Sequence, residues 1–340
     1  MIKFNFIEKF IINFLFKFSF VNRVLFDFEK VFFKKKWKVE KRIFICGLPR
    51  SGTSILLNKI YETDNFASLT YENMPFIMSP LIWRKISKFF IKINKKTERV
   101  HGDGIEIDNK SPEAFEEVFW QTFEKKNFIT KNFLKVHDPE QETLKEYLNF
   151  IDMVCQSYKK NNFLSKNNTN ILRLKRLSLV SGDNTFVVMY RDPINQAFSL
   201  KKQFFNFLHL QKKNKFYQKY LFYLGHYEFG MAHKNYEFLT DISNKFEDDL
   251  YWLSKWRDTY SYLINTKQPN IIFLSYENFC KNPRSIFEKI LDKDKVNQIV
   301  FGDIKNFNSS FAAEKQGLCR HSVFKNCYEI YNQLEKNSFF

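Results

Sequence analysis

The chain is short of the residues that mark several common protein classes. Its 340 residues hold five cysteines, an odd number, with no Cys-x-x-Cys pair. That leaves neither a zinc ribbon nor a disulfide framework, so a reducing, cytoplasmic compartment is expected. The six histidines are scattered, without His-Glu-x-x-His or similar spacing, and no metal is expected. Glycine and proline number nine and eight, and no Pro/Gly/Ser-rich linker or internal repeat divides the chain. One domain over residues 41–340 is expected, behind an N-terminal segment of residues 1–40. Long apolar runs are also missing. Within the first thirty residues the longest charge-free stretch is Phe10 to Phe16, well below the ~20 apolar residues of a membrane-spanning helix. The segment has no A-x-A-like cleavage site either. It reads as a helix packed on the core before the first strand, or as an amphipathic segment in peripheral contact with a membrane surface.

Acidic residues are outnumbered: 37 Asp+Glu face 54 Lys+Arg, a net charge of +17. A surface of that sign attracts phosphate, sulfate, nucleic acid or anionic lipid. Composition supplies a second origin for it. Phe (42 residues), Lys, Asn and Ile are all abundant, and AT-rich codons encode all four. Charge and aromatic content alone therefore do not argue for nucleic acid, and none is expected as a partner.

What is present is an alternation of apolar runs and helical patterns. Arg42-Ile-Phe-Ile-Cys46 reads as a buried parallel strand, and Thr185 to Tyr190 and Asn270 to Ser275 read as two more. Helices are expected over 53–61, 112–124 (Ser111 as N-cap), 139–158, 193–209, 248–265 and 283–291 (Asn282 as cap). Leu134 to Val136 carries a weak strand signal, and 170–179 fits a helix or a strand. Strands alternating with helices imply an α/β fold, a central parallel β-sheet flanked by helices, with its ligand at the carboxyl ends of the strands.

A glycine loop falls at such a place. Gly47-Leu-Pro-Arg-Ser-Gly52-Thr53-Ser54 follows the first strand and opens the first helix after it. It has the G-x-x-x-x-G frame of a Walker A loop, in which backbone N–H groups and the helix dipole hold an anion. Lysine is missing at position 53, where a nucleoside triphosphatase needs it. Threonine stands there, and the cation moves upstream to Arg50. The loop suits an anionic group outside the usual ATP/Mg²⁺ arrangement. A transferring sulfuryl group carries less charge than a phosphoryl group and can dispense with a bridging metal.

This P-loop resembles the 5′-phosphosulfate loop of sulfotransferases that use 3′-phosphoadenosine 5′-phosphosulfate (PAPS), in their Pro-Arg-Ser-Gly-Thr branch. That branch holds tyrosylprotein enzymes, carbohydrate enzymes and many bacterial ones. The resemblance runs over roughly residues 42–290 and implies a P-loop NTPase-like fold. It implies that Arg50, Ser51, Gly52, Thr53 and Ser54 bind the phosphosulfate. The family places an Arg at a later strand end and a Ser eight residues on against the 3′-phosphate; Arg191 and Ser199 stand at that spacing. Lys166, after Phe163-Leu-Ser, and Tyr276, in the Tyr-Glu pair before Asn282-Pro283, match further family positions. Arg50 and Lys166 would stabilise charge in the transition state. Glu72, in Leu69-Thr-Tyr-Glu72, matches the general base, with His137 beside Asp138 as rival. The chain departs from the tyrosylprotein enzymes at Gln203 and at Asn73-Met74-Pro75, which argues against protein tyrosine as acceptor. The stretches 79–110 and 211–245, aromatic and basic, are expected to shape the acceptor cleft, with His101-Gly-Asp-Gly104 as a loop near it. A glycan or lipid-linked glycan hydroxyl suits that composition. A P-loop nucleotide phosphotransferase and a non-catalytic anion- or membrane-surface-binding protein are the alternatives.

Overall fold

A computed structural model describes residues 6–32, 37–87, 89, 96–99, 102, 104–240, 245–291, 299 and 317–338. Helices α1 (Phe6–Lys17) and α2 (Ser19–Phe32) precede β1 (Lys41–Cys46), which leads through the glycine loop into α3 (Thr53–Tyr61) and β2 (Phe66–Ala67). After α4 (Pro80–Ser87), a ribbon of β3 (Thr97–Glu98) and β4 (Glu106–Ile107) precedes α5 (Glu117–Phe128). β5 (Phe133–Leu134) and α6 (Gln141–Tyr158) lead to β6 (Asn162–Lys166), the single-turn α7 (Leu174–Leu177) and β7 (Asp183–Tyr190). The long α8 (Pro193–Lys213), α9 (Lys215–Tyr223), β8 (Asn235–Tyr236) and α10 (Asp249–Ile264) follow. β9 (Ile271–Ser275), α11 (Tyr276–Lys281), α12 (Pro283–Ile290) and α13 (Ser322–Asn337) complete the chain.

Five strands form one parallel sheet in the order β2-β6-β1-β7-β9. The central strands are apolar throughout because both faces are covered. Phe44 and Cys46 of β1, with Phe186, Val188 and Tyr190 of β7, enter the core on one face. Ile43, Ile45, Val187 and Met189 alternate with them into a second core against α3 and α12. This is the two-residue period of a strand. The chain leaves β1 toward β2 on one side of the sheet and leaves β7 toward β9 on the other, so a crevice opens between the carboxyl ends of β1 and β7. The glycine loop sits there.

The sequence reading holds for these three strands and for the helices that follow them. The stretch 168–177 is helical, in two short turns. Two expectations need correction. Residues 112–116 are not helical: Pro112 bridges to Thr70 as an extended residue, and α5 starts at Glu117. Ser111 turns its hydroxyl to the Asp108 carboxylate (3.0 Å), so it shapes a loop and caps nothing. Asn282 stands at the start of α12 but gives no side-chain cap. The N-terminal helices pack one face inward, where Phe26 meets Phe119, Phe123 and Phe150. Their other face leaves Phe10, Phe14, Phe20, Val24 and Phe28 exposed. Among the described residues, no helix is long and apolar enough to cross a membrane.

Candidate active site

The loop is shaped by close approaches that only glycine permits. At Gly47 (φ 142°) a Cβ would lie 2.3 Å from the Met189 carbonyl oxygen of β7. At Gly52 (φ 91°) it would lie 2.4 Å from the Tyr276 ring. Arg50 itself adopts φ 71°, a left-handed conformation that a non-glycine residue holds only when its surroundings fix it. The surroundings are visible. Gln196, fully buried on the first turn of α8, donates to the carbonyls of Leu48 (2.8 Å) and Pro49 (3.0 Å). Trp256 donates to Gln196 Oε1 (2.9 Å), and Tyr260 donates to the Met189 carbonyl (2.8 Å). The loop is thus braced from α8 and α10 while α3 points its amino end outward, the arrangement that binds anions.

The second motif meets the first. β7 ends at Tyr190, Asp192 caps α8 by accepting from the Asn195 N–H (3.0 Å), and two turns later Ser199 accepts a hydrogen bond from Arg50 Nε at 3.0 Å. Arg191 is nearly buried, its guanidinium 4.9 Å from the Tyr276 ring centre and its Nε 4.0 Å from Glu277. Burial raises the Glu277 carboxyl above its ordinary value, and the Asp192 N–H, its own N–H and Arg191 offset part of that rise. Tyr276 therefore serves two motifs: its ring packs closely on Gly52 and lies 4.9 Å from the Arg191 guanidinium.

The cleft in front of the loop is lined on this side by Pro49, Arg50, Thr53 and Ser54. Lys166 joins them because β6 pairs in parallel with β1, setting Lys166 beside Ile45 at the carboxyl end of the sheet. Its ammonium lies 3.9 Å from Glu113, and Arg99 lies 3.8 Å from the same carboxylate and donates to Ser54 Oγ (3.1 Å). Asn168 receives the Thr53 hydroxyl at 3.4 Å. The facing wall comprises Phe207, Leu221, His226, Glu228 and Phe229.

Ser51 is buried within the loop, and Glu72 and His137 are not among the residues lining the cleft. Glu72 lies on a short turn, Tyr71–Asn73, and its carboxylate pairs with Arg84 at 3.3 Å. Arg84 in turn stacks 3.7 Å above the Tyr158 ring. His137 sits in the core, where its Nδ1 accepts from Arg173 Nε at 3.0 Å. Burial, reinforced by Arg173, pushes its pKa down to about 2, so the ring stays neutral. Arg173 also forks onto Glu117 (2.8 and 3.1 Å), and Glu117 accepts from Asn167 (2.8 Å). This buried network fixes the turn after β6 and with it Lys166 and Asn168. His101 lies outside the described residues. Sequence reasoning did not find Arg99, Glu113, Gln196, His226 or Glu228. Gln196 falls inside the span from Arg191 to Ser199, Arg99 inside the stretch 79–110, and His226 and Glu228 inside 211–245; Glu113 carried no signal.

The model of the Sulfotransferase family matches residues 42–296, three quarters of the chain. The chain belongs to the sulfotransferase family. No curated protein matches it by sequence. Among solved structures it is similar to sulfotransferase STF1 from Mycobacterium tuberculosis H37Rv, with 10% identity, 94% of this chain and 84% of that chain covered, and a TM-score of 0.52. It is also similar to sulfotransferase STF9 from Mycobacterium avium, with 10% identity, coverage of 89% and 78%, and a TM-score of 0.44. At such identity the likeness to STF1 speaks for the fold. The loop, Arg50 and Lys166 bring hydrogen-bond donors and positive charge to one side of the cleft, opposite the mixed apolar and polar residues of the facing wall.

Proposed function

We propose that this sulfotransferase takes its sulfuryl group from PAPS and passes it to a hydroxyl on a carbohydrate or lipid-linked glycan. The contact between Arg50 Nε and Ser199 Oγ carries the donor half of this reading. It joins the loop after β1 to the motif after β7, so that one nucleotide can span both. The loop and the start of α3 suit the 5′-phosphosulfate, and Arg191, planar and supported by Tyr276, suits the 3′-phosphate. With Thr53 in place of a lysine, the loop lacks the group that reaches the β/γ-phosphates of ATP.

The acceptor half rests on the facing wall. Phe207 and Phe229 offer apolar faces, while His226, Glu228 and Arg99 offer hydrogen-bonding groups beside them. A sugar needs that mixture, because its ring faces are apolar and its edges are hydroxyls. Arg99 comes from the first of the two aromatic, basic stretches, and Leu221 to Phe229 from the second. The test is transfer of labelled sulfate from PAPS across glycans, lipid-linked glycans and phenols. Preferred transfer to glycans supports the reading. Preferred transfer to a small neutral phenol overturns the acceptor half, and transfer from no PAPS at all overturns the donor half.

A further inference from the structure

A base must touch the acceptor hydroxyl, and the cleft supplies one that the sequence motifs do not contain. We propose that His226, oriented by Glu228, is the general base that takes the proton of the acceptor hydroxyl. The assignment rests on the sulfuryl-transfer reading above.

The loop that carries the pair is held at both ends. Gly225 (φ 76°) closes α9, and its Cβ would meet Glu117 Cγ at 2.6 Å and Gln121 Nε2 at 2.7 Å. Gly230 (φ 72°) packs against Gln211, whose Oε1 accepts the Met231 N–H at 2.7 Å. The carbonyl of Glu228 accepts from His233 Nδ1 at 2.7 Å, and Tyr227 between the pair is buried. The turn therefore presents His226 and Glu228 to the cleft on fixed backbone.

Within that turn, His226 Nδ1 lies 3.7 Å from Glu228 Oε2. A proton on Nδ1 faces the carboxylate, which leaves the Nε2 lone pair as the basic position. Burial alone would raise the Glu228 pKa; the His226 ring and, less strongly, Lys166 outweigh it and hold the carboxylate below its ordinary value. The charged groups facing the pair come from several elements. They are Arg50 on the loop, Arg99 before the β4 strand, Glu113, Lys166 at the end of β6, and Lys255 on α10.

The other carboxylates considered for this role are paired with cations. Glu113 lies between Lys166 and Arg99 and accepts from Tyr71 Oη (3.1 Å) and the Ala114 N–H (2.8 Å). Glu72 pairs with Arg84. In the transfer, the acceptor oxygen forms the new S–O bond as its proton passes to His226 Nε2. The bond from sulfur to the bridging phosphate oxygen breaks with its electron pair. The products are a sulfate ester, 3′,5′-adenosine bisphosphate and the imidazolium of His226, whose proton then passes to solvent. Arg50 and Lys166 face the negative charge on the leaving phosphate.

The test uses the full chain with PAPS and the best acceptor of the panel. His226→Ala should lower kcat by about a hundredfold or more, while 3′,5′-adenosine bisphosphate binds within about threefold of wild type. Added imidazole should restore part of the rate. The ascending limb of wild-type kcat/KM against pH should vanish in His226→Ala, and Glu228→Gln should lower kcat while leaving KM within about twofold. A kcat within threefold of wild type, or an unchanged ascending limb, overturns the assignment. So does a parallel loss of nucleotide binding in both variants, which marks the pair as structural. Wild type that neither binds the bisphosphate nor turns over overturns the donor reading as well, so the two failures are distinguishable.

Discussion

The two walls of the cleft are built by different means. The donor wall is backbone held in place. Gly47 and Gly52 approach neighbouring atoms too closely for any side chain, and Gln196, Trp256 and Tyr260 brace the loop from behind. The wall proposed for the acceptor is side chains brought together from afar. Arg99, Glu113, Phe207, His226 and Phe229 come from separate loops and helices. A backbone site demands particular residues at fixed spacing, because φ, close contact and helix register constrain it. A side-chain site can be assembled from any spacing the fold brings together.

If the contrast is right, the largest effect should come from Gly52→Ala. The added Cβ meets the Tyr276 ring at a backbone conformation that alanine rarely adopts, a strain of about 1–3 kcal/mol. Because Tyr276 also supports Arg191, bisphosphate binding should weaken by at least about a hundredfold; calorimetry checks this. Binding within threefold of wild type would break the comparison.

An intermediate effect separates the walls. Phe229→Leu keeps an apolar wall. Acceptor KM should rise several-fold while bisphosphate affinity stays within about twofold, read by initial-rate kinetics and calorimetry. Equal losses on both sides would mean that the walls are one unit.

A stability readout tests the support beneath Lys166. His137 has a folded pKa of about 2 against an ordinary value of 6.5. The folded value is the lower one, so its contribution is present above pH ~6.5 and lost as pH falls. The loss is about 1.4 kcal/mol per pH unit from this group. Between pH 7 and pH 5 wild type should lose more stability in urea unfolding than His137→Gln. An equal loss would show that the ring is not buried neutral.

The same contrast explains what was legible in the sequence. β1, β7 and β9 are continuous apolar runs buried on both faces, and they stood out. β6 did not, although it is the neighbour of β1. Its Ser165 is polar because it bonds the buried Glu116, and its Asn162 donates to the Asn65 carbonyl (3.3 Å). Pro112 after Ser111 looked like a helix start, yet the bridge to Thr70 holds it extended. Arg50 and Thr53 stood out in the frame of the glycine loop, Arg191 and Ser199 only through the resemblance to the family, and the structure brings Arg50 and Ser199 together. Glu72 matched a motif, but its carboxylate pairs with Arg84. Glu113, His226 and Glu228 left no pattern, because the contacts that assemble them are tertiary.

Calorimetric titration of 3′,5′-adenosine bisphosphate into wild type and Arg191→Ala tests the central claim most directly. The account predicts saturable binding to wild type, without added metal, weakened at least about a hundredfold when the Arg191 fork is removed. Folded wild type that ignores the bisphosphate, or binds ATP with Mg²⁺ in its place, would contradict it.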